Sequence, residues 1–167
     1  LARKGARVLG IVGAGHQAGF QLRAAARVRD WERVIAWNLH PEMLPKLAAV
    51  AADLGLPFEA VGLERMVEAE AIITITSSHQ PLLMADHVSP GTHLVCMGTD
   101  TKGKQEIDPA LFSIGTSFTD EVAQSVTIGE AQHGSVQPVN SAEPRMEADG
   151  YRRGQTATTR PFPLRSR

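Results

Sequence analysis

The sequence predicts an α/β domain built on a doubly wound parallel sheet, followed by a disordered C-terminal tail. Short apolar and β-branched runs alternate with helical patterns along most of the chain. This alternation is typical of parallel strands that are joined by helices. The first run, residues 7–12, ends in a Gly-Ala-Gly turn that leads directly into a helical pattern. Such a strand–turn–helix unit is a usual opening of a doubly wound sheet.

The elements of this sheet follow one another in chain order. The first strand leads into a helix over residues 16–29. Pro41 suits the first turn of a helix, and Asp108 suits an N-cap. The remaining strands are predicted at residues 33–37, 58–61, 71–76, 93–97 and 115–119. The remaining helices are predicted at residues 41–54, 63–69, 108–112 and 121–128, with a short helix or turn at 84–88 and polar loops at 77–80 and 98–105.

The Gly-Ala-Gly turn has the spacing of a dinucleotide-binding fingerprint. Gly13 allows the tight turn, Gly15 lets the backbone approach a pyrophosphate, and Ala18 stands in the place of the third glycine. His16 and Gln17 complete the predicted cofactor-binding segment, which ends at a helix N-terminus that favours negative charge. The alternative is an ordinary strand-to-helix turn without a ligand.

The residue after the second strand bears on which dinucleotide binds. Asn38 lies 20 residues after Ala18, where this fold usually places a carboxylate against the adenosine ribose. Asn38 has no charge to repel a 2′-phosphate, and a protonated His40 would attract one. These residues favour NADP over NAD. Alternatively, Asn38 accepts backbone hydrogen bonds in a loop.

Two further loops are predicted at the carboxyl ends of strands, where ligands of such sheets bind. Thr76 ends the predicted strand over residues 71–76, Ser77 and Ser78 follow it, and all three would line the nicotinamide side of the cleft. The predicted strand over residues 93–97 ends at Met97, and Met97 and the following Gly98 are candidate cofactor-binding residues. Asp100 lies two residues further on. Asp100 is the candidate catalytic residue, since it would face the cleft. The alternative for both segments is an ordinary polar loop.

Composition excludes several classes of function. The chain has 167 residues and a formal net charge of −1, which gives no reason to expect nucleic acid or an acidic membrane as partner. Cys96 is the single cysteine, which favours a reducing compartment, and we expect the cytoplasm. The six histidines do not pair with cysteines or carboxylates at metal-ligand spacing, so no metal site is expected.

The two ends of the chain differ from its centre. Leu1 to Lys4 has the character of a helix end with Gly5 as C-cap, which indicates a fragment of a longer protein or a trimmed N-terminus. The predicted domain covers residues 1–133. Residues 134–167 contain four prolines and six arginines but no lysine and no apolar periodicity. They are predicted to be either a natural disordered tail or the product of a shifted reading frame.

Four segments, in this order, resemble those of the ornithine cyclodeaminase and mu-crystallin family. They are residues 13–18 (Gly-Ala-Gly-His-Gln-Ala), 74–78 (Thr-Ile-Thr-Ser-Ser), 98–106 (Gly-Thr-Asp-Thr-Lys-Gly-Lys-Gln-Glu) and 129–133 (Gly-Glu-Ala-Gln-His). The third is the most specific, because it is similar to the family's Gly-x-Asp-x-Pro-Gly-Lys-x-Glu loop. Lys102 departs from that pattern at the proline, and Leu39 stands where NADPH-binding relatives often have arginine, which weakens the preference for NADP.

The resemblance implies an NAD- or NADP-dependent enzyme that acts on an amino acid or a cyclic imine, with Asp100 as acid/base beside the nicotinamide. In ornithine cyclodeaminases a hydride leaves the substrate and later returns to it, which yields proline and ammonia. In ketimine reductases, pyrroline-2-carboxylate reductases and alanine dehydrogenases the hydride moves once. Ornithine cyclodeaminase is the first expectation, a reductase or dehydrogenase the second, and a non-catalytic NAD(P)-binding module a further alternative.

The resemblance also bears on the size of the whole protein. Family members are about twice as long as this chain and are dimeric, and their first part supplies a substrate domain. It therefore implies that this chain is the nucleotide-binding portion, inactive by itself, of a homodimeric protein.

Overall fold

The computed structural model describes residues 1–119 and 121–134 and confirms the predicted fold class. Five parallel strands form one sheet in the order β3-β2-β1-β4-β6. These strands are β1 (Val8–Val12), β2 (Arg33–Trp37), β3 (Phe58–Ala60), β4 (Ala71–Thr74) and β6 (His93–Cys96). A separate pair of parallel strands consists of β5 (His79–Leu83) and β7 (Gln105–Ile107). The α-helices are α1 (Ala18–Val28), α2 (Leu44–Asp53), α3 (Ala110–Ile114) and α4 (Val122–Ile128).

The strand register brings the strand ends to one level. Val12 pairs with Trp37 on one side and with Thr74 on the other, and Thr74 pairs with Cys96. Because the strands are parallel, the segments that follow these four residues all lie at one edge of the sheet, which we call the carboxyl edge. From β1 the chain adds β2 and β3 on one side, and it then returns to add β4 and β6 on the other side of β1. The sheet order therefore switches direction at β1. Ligands of open α/β sheets bind at this kind of switch point.

The core has two parts that consist of different sets of buried residues. In the first, Leu9, Ile11, Ala18 and Leu22 pack with α2. In the second, Val12 and other residues of the sheet pack with the 3₁₀ turn Leu63–Glu68 and with α3. The β-branched run in β4 is buried over all four residues, as predicted for a central parallel strand.

One predicted strand is wrong. Residues 115–119 are β-branched and aromatic in character but form no strand, and Phe118 is 57% exposed. Within the described residues, no neighbouring strand pairs with them. Strand preference depends on packing against a neighbour, so the residues alone do not produce a strand.

Two predicted loops contain strands that the pattern did not show. The predicted loop over residues 77–80 includes the start of β5, and the loop over residues 98–105 ends at the first residue of β7. These two strands pair only with each other, His79 opposite Gln105 and Leu83 opposite Ile107. Short, polar strands of this kind lack the apolar run on which strand prediction rests.

Two further predictions concern the ends of the chain. Residues 1–3 are not helical, and Gly5 lies outside the set of glycines with positive φ, so the predicted helix end with a Gly5 C-cap is wrong. The prediction of a disordered or frame-shifted tail falls almost wholly outside the described residues. Among the residues that the structure describes, no helix is long and apolar enough to cross a membrane.

Candidate functional site

The glycine turn (residues 13–17) connects β1 to α1 at the carboxyl edge. Gly13 has a φ of 113°, and a Cβ atom on it would lie 2.4 Å from the carbonyl oxygen of Ile75. Its backbone N–H donates to the carbonyl of Trp37 at 2.8 Å. The ends of β1, β2 and β4 therefore meet at Gly13. This residue must be glycine because its φ is positive and because there is no room for a Cβ atom.

The space around Gly15 is open, whereas the space around Gly13 is filled by neighbouring atoms. A Cβ atom on Gly15 would meet nothing within 4 Å, and Gly15, His16 and Gln17 are exposed. Within the described residues, the backbone N–H groups of these three residues have no hydrogen-bond partner. Ala18 is fully buried beneath them. The arrangement leaves room and unpaired donors at a helix start, which is what an anionic pyrophosphate requires.

Asn38 braces the glycine turn from the end of β2. Its Oδ1 accepts a hydrogen bond from the Ala14 N–H at 2.9 Å, and its Nδ2 donates to the His40 carbonyl at 2.9 Å. Both ends of the amide thus bind backbone, which is the alternative role that the sequence allowed. His40 is exposed, with Nδ1 3.5 Å from Oε1 of Glu42. A positive charge on His40 would therefore be paired with the Glu42 carboxylate and would attract a phosphate less strongly.

The hydroxyl-bearing segment after β4 shapes its own turn. Thr76 Oγ1 accepts a hydrogen bond from the Ser78 N–H at 3.2 Å, and Ser78 Oγ donates to the Gln80 carbonyl at 2.7 Å. Ser77 is exposed. Thr76 also lies between the other two segments: Cβ atoms placed on Gly13 and on Gly98 would lie 3.0 Å from its Cγ2 and 2.4 Å from its carbonyl oxygen.

The Asp100 loop (residues 98–104) follows β6 and the exposed Met97. Asp100 Oδ1 lies 2.6 Å from Lys104 Nζ and also accepts from the Thr101 hydroxyl at 3.1 Å. The hydrogen bond from Lys104, then that from Thr101, lowers the pKa of the exposed Asp100 carboxyl. Asp100 is therefore an ionised, accessible carboxylate at neutral pH, in the loop that follows β6.

Glu106 holds the base of this loop against β4. Its side chain is fully buried. Oε1 accepts from the Thr76 N–H at 2.5 Å, and Oε2 accepts from Thr74 Oγ1 at 2.8 Å and from the Gly98 N–H at 2.9 Å. A Cβ atom on Gly98 would lie 2.4 Å from Glu106 Oε1, so glycine is needed there. One carboxylate thus joins the ends of β4 and β6.

The segment over residues 129–133 supports the Asp100 loop from the other side. Glu130 Oε1 accepts from the Glu106 N–H at 2.6 Å and from the Thr99 hydroxyl. Gln132 Oε1 accepts from the Gly103 N–H at 2.8 Å, and His133 Nε2 lies 2.6 Å from the Lys104 carbonyl oxygen. The last of the four segments singled out in the sequence is therefore a brace for the third.

The predicted site residues thus occupy one edge of the sheet. The glycine turn, the turn after β4 and the Asp100 loop adjoin one another through Thr76, and Asn38 contacts the glycine turn. Sequence patterns did not point to Glu106 or Glu130 as individual residues, because a glutamate in a polar segment normally indicates a solvated surface. Among the described residues, no group of three His, Cys, Asp or Glu side chains has the arrangement to hold a metal ion.

The sheet order and the glycine turn define a Rossmann-like domain of the dinucleotide-binding class. The chain belongs to the ornithine cyclodeaminase/mu-crystallin family, whose model matches residues 1–150. The match extends past residue 133, where the sequence placed the end of the domain. The family expected from the four segments and the fold class expected from the alternation of strands and helices are both confirmed.

Three relatives show how close these similarities are. The iminosuccinate reductase of Paracoccus denitrificans is 65% identical over 134 residues, and its crystal structure with NAD⁺ matches with a TM-score of 0.78, covering 80% of this chain and 42% of that one. An archaeal alanine dehydrogenase dimer with bound NAD matches at 32% identity and a TM-score of 0.76, covering 79% and 41%. The L-lysine cyclodeaminase of Streptomyces rapamycinicus is 32% identical, covering 79% of this chain and 40% of its own. The chain therefore spans about two-fifths of the length of these relatives.

Proposed function

We propose that this chain is the NAD(P)-binding part of an enzyme that reduces an imino acid, with Asp100 beside the reacting carbon. The observation that carries the proposal is the meeting of the glycine turn and the Asp100 loop at one carboxyl edge, on either side of Thr76. The first segment has the open donors of a pyrophosphate site, and the second presents an ionised carboxylate. The remaining substrate-binding groups belong to other parts of the whole protein, which we expect to be a cytoplasmic homodimer.

The order of the expected activities changes. Ornithine cyclodeaminase stood first in the sequence analysis, but its support is the family alone. The 65% identity to an iminosuccinate reductase favours a single hydride transfer instead. Reduction of iminosuccinate consumes one hydride and one proton and forms aspartate, so the substrate would be a dicarboxylic imino acid. Cyclodeamination of ornithine or lysine is the second candidate, supported by the similarity to a lysine cyclodeaminase.

The cofactor that fits the carboxyl edge best is NAD(H). The loop after β2 offers Asn38, whose amide is occupied by backbone, and His40, which faces Glu42. A 2′-phosphate at this point would meet no arginine or lysine in residues 38–42 and would approach the Glu42 carboxylate. This reverses the slight preference for NADP that Asn38 and His40 suggested in the sequence.

The chain's own residues would stabilise the charge of the imine and hold the Asp100 loop in position. When bound, the nicotinamide cofactor supplies the hydride. The Asp100 carboxylate would stabilise a protonated imine, which carries a positive charge and accepts hydride more readily than the neutral form. Asp100 would also accept or return a proton at the substrate nitrogen, and for this its hydrogen bond to Lys104 must loosen. Glu106 and Gly98 would hold the start of the Asp100 loop in place at the end of β6.

An amino-acid panel tests the activity on the complete product of the gene that encodes this chain. With NAD⁺ supplied, L-aspartate, L-alanine and L-proline are each tested for NADH formation, and L-ornithine and L-lysine for ammonia release. We expect NADH formation with aspartate, and loss of about 100-fold or more in the Asp100→Asn variant. Ammonia without net NADH would support cyclodeamination. Cofactor binding without turnover of any substrate would support a non-catalytic module and contradict the enzyme proposal.

A further inference from the structure

Two buried carboxyl groups lie next to each other beneath the Asp100 loop. Glu106 is 0% exposed and Glu130 is 7% exposed, and they are two of the three buried polar or charged side chains among the described residues. The backbone N–H of Glu106 donates to Glu130 Oε1 at 2.6 Å. Two negative charges so placed would repel each other in a medium that screens them poorly.

The hydrogen bonds of the two carboxyl groups are unequal. Both oxygens of Glu106 accept, from three donors, which is the pattern of an ionised carboxylate. Glu130 receives its donors on Oε1, from the Glu106 N–H and the Thr99 hydroxyl. Its Oε2 is buried and has no hydrogen-bond partner among the described residues. A charged oxygen in that state is costly, whereas a protonated one is much less so.

We propose that Glu130 is held as a neutral carboxylic acid, protonated on Oε2, and that with ionised Glu106 it forms a positioning pair that holds the Asp100 loop. Glu106 binds β4 to the start of the loop, whereas Glu130 binds Thr99 within the loop to the start of β7. The part of this proposal that concerns the placement of Asp100 over substrate rests on the proposed function. The protonation state of Glu130 does not.

The charged groups around the pair agree with this assignment. Burial is the largest cause and raises the pKa of Glu130. The hydrogen bonds from Thr99 and from the backbone of Glu106 and Ile107 lower this pKa, and the charge of Glu106 raises it further, with a net rise. Burial raises the pKa of the neighbouring Cys96 thiol to about 12, so β6 supplies no charge. Of the two lysines of the loop, Lys104 is bound to Asp100 instead, and Lys102 is exposed. His133 faces the Lys104 carbonyl. No cation of the described residues forms an ion pair with Glu130.

The test compares two isosteric substitutions, Glu130→Gln and Glu106→Gln, in the full chain. In the first, the amide oxygen still accepts both donors, and the NH₂ group takes the place of a protonated oxygen. In the second, either orientation of the amide places NH₂ against a backbone N–H, of Thr76 or of Gly98. We therefore expect Glu106→Gln to lower the thermal midpoint at every pH, and Glu130→Gln to raise it near neutral pH.

The sign of the pH dependence gives a sharper readout. A carboxyl whose pKa is raised on folding contributes stability that is present below its unfolded pKa, about 4.3, and is lost as the pH rises through its folded pKa. Glu130→Gln should therefore exceed the wild type by about 2–4 °C or more at neutral pH, and this difference should shrink as the pH falls toward the unfolded value. Glu130→Ala, which removes the acceptor, should be destabilised at every pH.

Infrared spectroscopy reads the proton directly and does not depend on cofactor binding. At neutral pH the wild type should show the C=O stretch of a protonated carboxylic acid, and Glu130→Gln should lack it. Absence of that band in a folded wild type, or a Glu130→Gln variant as unstable as Glu106→Gln at neutral pH, would overturn the proposal. A chain that shows the band but binds no NADH would leave the carboxyl pair intact and contradict the proposed function instead.

Discussion

The two glycines of the glycine turn are needed for different reasons. Gly13 has a φ of 113°, and a Cβ atom there would collide with the Ile75 carbonyl oxygen at 2.4 Å. Gly15 is not among the residues with positive φ, and its Cβ position is open. Gly13 is thus required by the folded protein itself, whereas Gly15 is required only if something else occupies the open space.

This contrast predicts that the same substitution destabilises the protein at Gly13 and has little effect on its stability at Gly15. Gly13→Ala should lower the free energy of unfolding by about 1–3 kcal/mol or more, because it combines backbone strain with a clash. Gly15→Ala should change it by less than about 0.5 kcal/mol. Urea unfolding of both variants measures the difference. Equal destabilisation of the two would show that the turn differs from the structure described above.

Residue-scale prediction succeeded where a residue's role is local. Gly13, Gly15 and Ala18 follow from the spacing of small residues after a strand. Glu106 and Glu130 could not be predicted, because their donors come together only in the folded chain. Thr74, Thr76 and Gly98 donate to Glu106, whereas the Thr99 hydroxyl and the Glu106 backbone N–H donate to Glu130. Likewise, the brace that Asn38 provides depends on the turn 24 positions earlier in the sequence.

At the scale of elements, prediction depended on how strongly each segment is buried. Strands β1, β2 and β4 were found from their apolar and β-branched runs, since a parallel strand buried on both faces has a continuous pattern. The edge strand β3 has only three residues and is mostly exposed, so its signal was weaker. The polar strands β5 and β7 were missed, and residues 115–119 were wrongly predicted as a strand. In these cases pairing, rather than composition, decides the outcome.

The first helix offers a matched test of this dependence on burial. Leu22 is 0% exposed and Val28 is 79% exposed, on the same helix α1. Leu22→Ala should cost about 2–5 kcal/mol, because it removes methyl groups from the core cluster behind the glycine turn. Val28→Ala should stay within about 0.5 kcal/mol. Chemical denaturation of both variants checks this, and a Leu22→Ala cost as small as that of Val28→Ala would contradict the packing of α1 on the sheet.

At the scale of the whole molecule, the described residues form a single sheet edge at which the three predicted segments meet. The carboxyl edge presents the glycine turn, the turn after β4 and the Asp100 loop, while the chain spans about two-fifths of the length of its relatives. The proposed cofactor site lies within that portion, since its residues follow β1, β2, β4 and β6. Turnover needs substrate-binding groups as well. Cofactor binding is therefore the property of this chain that can be measured by itself.

The most direct test is a fluorescence titration of the chain with NADH, using two variants that add the same negative charge. Gly15→Asp places a carboxylate at the predicted pyrophosphate position, whereas Gly5→Asp places one before β1, and a Cβ atom meets nothing within 4 Å at either position. We predict binding by the wild type and by Gly5→Asp, weaker binding of NADPH, and a loss of about tenfold or more for NADH in Gly15→Asp. Equal affinity of the two variants, or no binding by a folded wild type, would contradict the assignment of this edge as a dinucleotide site.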